Sequence, residues 1–177
     1  AWFAHTAGIK VVAPSNSDDA YGLMRSAIED NDPVIFIENL PSYWTPGPVS
    51  GKHVPIGQVR VARAGDDVTI IAHSMMVGVS MAAAETLADE GISAEVIDLR
   101  TIAPWDQEAV LASVAKTGRL LIVHEAVTPF GVGAEIAATV NHALFGKLKK
   151  PIERLGGAFC PVPFSKPLED AFAPNAA

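Results

Sequence analysis

Hydrophobic and polar positions fall into two regimes along this chain. In the first forty residues they predict one βαβ unit. Ile9-Lys10-Val11-Val12 is a short, β-branched run stopped by Pro14. Ser15-Asn16-Ser17-Asp18-Asp19 then supplies capping side chains and first-turn carboxylates for a helix. Ala20, Leu23, Met24, Ala27 and Ile28 recur at three- and four-residue spacing and predict its buried stripe. Asn31 and Pro33 end the helix, and the unbroken apolar run Val34-Ile35-Phe36-Ile37 predicts a strand covered on both faces. From Leu40 to Val54, five prolines and glycines break the periodicity, while Tyr43 and Trp44 offer something to pack.

A regular alternation follows. Gln58 to Arg63 alternates in polarity and predicts an edge strand, with a turn at Gly65-Asp66-Asp67. Strands are expected at Val68–Ala72, Ala94–Leu99, Leu120–Val123 and Ile152–Leu155. The helices between them run over Val77–Glu90, from the cap Asp106 through Val114, and over Gly133–Phe145, with Gly91 and Gly118 just past two of the ends. The tail is proline-rich and irregular, apart from a turn at Leu168–Phe172. This order predicts an α/β fold with a parallel sheet and right-handed crossovers. The expected division is 1–40, a linker over 41–55, and a complete layered domain over 56–177. Two strands and one helix cannot bury both faces of a sheet or protect its edges. The front part is therefore expected to dock on other subunits or to be the tail of a longer domain, which agrees with a start at Ala1 without Met or a signal-like segment.

Composition narrows the function. At 177 residues, 49% hydrophobic and 19% charged, the chain is globular. Its net charge of −7 argues against nucleic acid or an anionic membrane as the main partner. The longest stretch free of Asp, Glu, Lys and Arg, Val68 to Ala84, is shorter than the ~20 residues of a spanning helix and contains His73 and three hydroxyl residues. One cysteine, Cys160, excludes an internal disulfide and a multi-cysteine zinc site.

Several constellations carry potential chemistry. Gly131-Val132-Gly133-Ala134 follows a strand and opens a helix, but Ile136 occupies the third glycine position of a dinucleotide loop, so a tight helix entry is the better reading. Ser80 lies inside a helix, where a nucleophile elbow needs a strand-to-helix turn. His73, His124 and Glu125 follow strands and so lie at carboxyl ends, the ligand-gathering edge of an open α/β sheet. They could hold a metal or relay protons. The commoner use of such residues is to cap helices or meet a partner subunit. Asp98 and Arg100 read as a structural charged pair. The helix end Ala27-Ile28-Glu29-Asp30-Asn31-Asp32 combines unpaired carbonyls with acidic side chains, the oxygen ligands a cation uses, although a solvated helix end is commoner.

Taken in order, longer phrases resemble one family. Ala1-Trp2-Phe3-Ala4-His5-Thr6-Ala7-Gly8-Ile9-Lys10-Val11-Val12-Ala13-Pro14-Ser15, Asp30-Asn31-Asp32-Pro33-Val34 with Glu38, and Glu95-Val96-Ile97-Asp98-Leu99-Arg100 are three of them. Val123-His124-Glu125-Ala126, Phe130-Gly131-Val132-Gly133-Ala134-Glu135-Ile136 and Pro161-Val162-Pro163 complete the series. They resemble the C-terminal half of beta subunits of thiamine-diphosphate 2-oxo acid dehydrogenases of the pyruvate, acetoin and branched-chain type. The resemblance implies a parallel-sheet, transketolase C-terminal-like domain preceded by a βαβ remnant of a pyrimidine-binding domain. It implies decarboxylation of a 2-oxo acid on thiamine diphosphate, with acyl transfer to lipoamide. It also implies a multienzyme complex containing an alpha subunit, a second beta subunit and a dihydrolipoyl acyltransferase core, in a bacterial cytoplasm or a mitochondrial matrix.

Residue by residue, the resemblance implies main-chain potassium ligands at Ala27, Ile28, Asp30 and Asp32, where the family commonly has Asn at the last position. A further ligand comes from sequence upstream. The glutamate that activates the thiamine ring and a His–Ser pair also lie ahead of position 1. The diphosphate and its magnesium belong to the alpha subunit. No catalytic residue is therefore assigned; His5 and Glu38 are expected only as supports behind the residues that touch the cofactor. On this reading His124, Glu125 and Gly131–Glu135 are interface and fold elements, and the acidic balance suits a basic subunit-binding domain on the acyltransferase. The alternative is a non-catalytic α/β assembly or binding module.

Overall fold

A computed structural model describes residues 1–176. The front part forms β1 (Lys10–Val12), α1 (Ser17–Glu29) and β2 (Val34–Phe36), with β1 and β2 parallel and Lys10 opposite Val34. The helix starts where the sequence puts its cap: Asn16 accepts a hydrogen bond from the Asp19 amide at 2.9 Å. Its buried face differs from the expected stripe. Asp19, Gly22 and Leu23 are buried, whereas Met24 is 36% and Ile28 75% exposed. The reason is packing from outside the helix. Gly22 admits Val54, whose side chain lies 2.6 Å from where a β-carbon would be, and Asp19 turns inward to meet two arginines. The strand β2 is also less covered than expected: all three of its residues are half-buried, because it is the edge of its sheet.

That sheet has a third member from far along the chain. β6 (Thr101–Ala103) pairs antiparallel with β1, giving the order β2-β1-β6. No pattern predicts β6, since three residues ending at Pro104 carry no periodicity.

The remaining strands are β3 (Arg60–Arg63), β4 (Val68–Ala72), β5 (Ala94–Asp98), β7 (Leu120–Val127) and β8 (Glu153–Gly157), in the order β3-β5-β4-β7-β8. All are parallel except the antiparallel edge β3. The helices α2 (Met75–Asp89), α3 (Gln107–Thr117), α4 (Val132–Ala143) and α5 (Lys166–Phe172) follow β4, β6, β7 and β8. Asp106 caps α3 by accepting from the Ala109 amide at 3.1 Å, and Gly118 ends it in the left-handed region at φ 72.

Adjacent strand residues point to opposite faces and so build two cores. Ile71, Ile97 and Ile122 pack with Val110 and Val114 of α3 and Ile136 of α4. Ile70, Val96 and Val123 pack with Met76, Val77 and Ala84 of α2. One buried polar network interrupts the sheet's far end, where Thr69 lies 2.8 Å from Ser113 and 2.9 Å from Thr117, and Lys116 and Ser113 both bond Glu95.

Candidate functional site

The carboxyl ends of β4 and β7 face the front sheet across a cavity of about 250 Å³. His73 and Ser74 reach it from β4, His124 and Glu125 from β7, and Glu38 and Asn39 from the loop after β2. The strand-end rule thus brings His73, His124 and Glu125 together. Among the described residues, however, no three His, Cys, Asp or Glu side chains converge on a metal position.

His124 is 1% exposed, so it serves the fold. Its Nδ1 lies 2.8 Å from the Ala126 carbonyl oxygen. A carbonyl only accepts, so Nδ1 carries the proton and Nε2 is a bare acceptor, buried without a partner. Three glycines close around the ring. A β-carbon at Gly131 or Gly156 would lie 2.9 Å from Cε1, and one at Gly133 2.9 Å from Nε2. Gly131 and Gly133 are therefore room for an imidazole and do not cradle a phosphate. Burial pushes the His124 pKa down, and burial together with the neighbouring His124 pushes that of His73 down to about 4. Both rings are neutral at physiological pH.

Ser74 joins β4 to α2 at φ 53 and ψ −139, a region that non-glycine residues rarely occupy. Glu125 accepts from Asn39 Nδ2 at 2.8 Å, and burial raises its pKa. Sequence reasoning missed Asn39 and Ser74. Asn39 is an ordinary polar residue after a strand, and only the strand-to-helix position of Ser74 gave a signal.

Glu38 is exposed and accepts from the Tyr43 hydroxyl at 2.7 Å, which raises the Tyr43 pKa. It also lines a second cavity of about 370 Å³ beside the start of α1. His5 is exposed and lines a wider apolar cleft of about 830 Å³ with Trp2, Trp105 and Phe130.

At the other end of α1, Lys10 Nζ lies 2.7 Å from Asp30 and 3.1 Å from Asp32. Asp30 ends the helix in extended backbone, φ −75 and ψ 141, with no left-handed residue folding back over the last carbonyls. The last-turn carbonyls thus lack the left-handed backbone cap that many helix ends provide. The Asp98 and Arg100 side chains do not pair with each other. Arg100 meets Asp19 at 2.7 Å, and Asp98 is met by Arg60 at 2.9 Å and by the Ser15 hydroxyl at 2.5 Å. The contacts of Asp19 with Arg100 and of Ser15 with Asp98 join the front layer to the five-stranded sheet.

Comparisons with known proteins cover nearly all of the chain. Residues 57–177 match the family model "Transketolase, C-terminal domain", and residues 1–44 match "Transketolase, pyrimidine binding domain". The pyruvate dehydrogenase E1 component subunit beta-2, mitochondrial, of Oryza sativa subsp. japonica is 44% identical over 99% of this chain, which covers 48% of that protein. The pyruvate dehydrogenase E1 component subunit beta of Leifsonia xyli is 46% identical over 99% of the chain, covering 52% of the relative. The acetoin:2,6-dichlorophenolindophenol oxidoreductase subunit beta of Cupriavidus necator is 45% identical, again over 99% of the chain and 52% of the relative. The chain spans about half the length of the curated relatives it matches. Among solved structures, one described as "Split gene transketolase, inactive beta4 tetramer" superposes with a TM-score of 0.80 at 24% identity, over 98% of this chain and 55% of that one, which supports the fold.

Proposed function

The chain belongs to the transketolase family in both its pyrimidine-binding and its C-terminal segments, and from that premise we propose that it works as part of the beta subunit of a thiamine-diphosphate 2-oxo acid dehydrogenase. The observation that carries this reading is the match to E1 beta subunits, at 44–46% identity over 99% of this chain and about half of each relative. The whole assembly would decarboxylate a 2-oxo acid and pass the acyl group to lipoamide. Thiamine diphosphate, when bound, supplies the carbanion chemistry. The residues of this chain do not fit its diphosphate and magnesium: His124 fills the glycine-lined space, and among the described residues no acidic or histidine cluster converges on a metal. The alpha subunit would hold them, and the chain's own share is surface and support. Trp2, Trp44, Phe130, Phe145 and Phe164, all more than four-fifths exposed, give an assembly surface its apolar anchors. Partners on this reading are an alpha subunit, a second beta subunit and a dihydrolipoyl acyltransferase core. The compartment is the bacterial cytoplasm or the mitochondrial matrix. Glu38 and His5 would support the cofactor-facing edge without touching the reacting atoms.

The uncapped end of α1 supports a structural potassium site on the main-chain oxygens of Ala27, Ile28, Asp30 and Asp32. Lys10 already engages the two carboxylates, so the carbonyls remain as the ligands. Potassium should raise the melting temperature of the assembled protein more than sodium does at equal ionic strength. Equal effects would remove the support for a selective site.

Co-expression with an alpha subunit and an acyltransferase tests the assignment. A ternary complex with pyruvate- or acetoin-dependent turnover is expected, together with no decarboxylation by this chain alone with added thiamine diphosphate. A chain that binds neither protein is instead a non-catalytic α/β module.

A further inference from the structure

Just past the end of α1, one nitrogen gathers three carboxylate oxygens. Lys10 Nζ lies 2.8 Å from Asp30 Oδ1, 2.7 Å from Asp30 Oδ2 and 3.1 Å from Asp32 Oδ2. An ammonium has three N–H donors and no acceptor, so these contacts use all of it. The backbone roots the side chain beside its targets: the Lys10 amide donates to the Pro33 carbonyl at 2.9 Å, and Lys10 stands opposite Val34 in the pairing of β1 with β2. Asp30 is fixed from the other side as well, because its Oδ1 also accepts from the Asp32 amide at 2.9 Å. The third carboxylate of this segment, Glu29, faces Arg25 at 3.6 Å and His53 at 3.4 Å.

Two carboxylates turned to one point, next to helix-end carbonyls without a left-handed cap, are the kind of oxygen set that calcium takes. Here a cation of the chain's own sits at that point. Because it is tethered, its local concentration stays high whatever ions the solvent holds. Two carboxylates and one ammonium leave a single net negative charge, beside the negative end of the helix dipole. That balance suits a singly charged ion on the carbonyls and denies a doubly charged one its carboxylates.

We propose that Lys10 is a built-in counter-ion that sets the charge preference of this helix end, closing the Asp30 and Asp32 carboxylates to calcium and other divalent cations. The preference for a single charge rests on the potassium reading above, whereas the closure to divalent ions stands on the Lys10 contacts.

The test removes the ammonium and keeps the apolar stem. In the full chain, Lys10→Met should bind one calcium ion per chain by calorimetry. Its melting temperature should be several degrees higher in millimolar calcium chloride than in choline chloride of equal ionic strength. Adding Asp32→Asn to that variant should abolish both effects, and the parent should show neither. A Lys10→Met chain that folds and takes up no calcium, or that stays unfolded even in calcium, overturns the proposal. Uptake that survives Asp32→Asn places the ion elsewhere and overturns it too. Calcium uptake by the parent that Asp32→Asn removes does the same, with no change made at Lys10. Equal responses of the parent to potassium and sodium would remove the potassium site and leave the calcium gain of Lys10→Met standing, so the two readings fail separately.

Discussion

A β-carbon at Gly133 would sit 2.9 Å from His124 Nε2, and the ring has no room to retreat because Gly131 and Gly156 lie against its other edge. Gly133→Ala should therefore cost about 1–3 kcal/mol of stability, as overpacking does. Denaturant melts should show much of that loss recovered when His124 is also trimmed to Ala, since the two changes share one space. The His73 ring makes a second prediction at this scale. Its pKa is held at about 4, below the ordinary value of 6.5, so the unfolded chain takes up the proton first as pH falls. Stability is unaffected above about pH 6.5 and declines by up to roughly 3 kcal/mol on descent to about pH 4. Replacing His73 with Asn should flatten that part of a melting-temperature profile. The strand-end rule found His73, His124 and Glu125 from the sequence alone. It could not show that the glycines of the next loop exist to admit one of these rings, because that contact is tertiary.

Helix and strand boundaries were legible where a cap or a breaker marks them. Asn16 and Asp106 start their helices and Gly118 ends one as their chemistry predicts, and the parallel sheet follows from the alternation of elements. The α1 stripe was misread because periodicity counts apolar residues, while here a carboxylate and a glycine face inward and Ile28 faces out. Asp106→Ala removes the acceptor for the Ala109 amide and also that for the Val59 amide at 3.2 Å. A loss of about 1–2 kcal/mol is expected by urea melting. Hydrogen exchange should quicken in the first turn of α3, not in its last. At the far end of the sheet, Glu95→Leu would leave the buried Ser113 hydroxyl and the Lys116 ammonium without their shared acceptor, a change more costly than its gain in apolar area.

Across the whole molecule, the front layer and the five-stranded sheet are held by charges as well as by apolar contact. Asp19, 2% exposed, is met by Arg100 at 2.7 Å and by Arg60 at 3.3 Å. Arg100→Leu takes away the nearer of the two and leaves a buried carboxylate less fully paired. It should cost up to about 3 kcal/mol, visible as a lower melting temperature. The strand β6 adds a backbone tie, since it is drawn from residues 101–103 yet completes a sheet begun at Lys10. Neither tie has a local signature in the sequence, because each joins residues far apart along the chain. Their consequence appears when the chain is cut. The stretch from 45 to 53 is exposed throughout and lies outside regular structure, the kind of segment a protease reaches first. A single nick there would sever the covalent path while leaving β1 bonded to β6 and Asp19 to its arginines. The two pieces should then elute as one particle and part only in denaturant, as a split protein whose halves recognise each other.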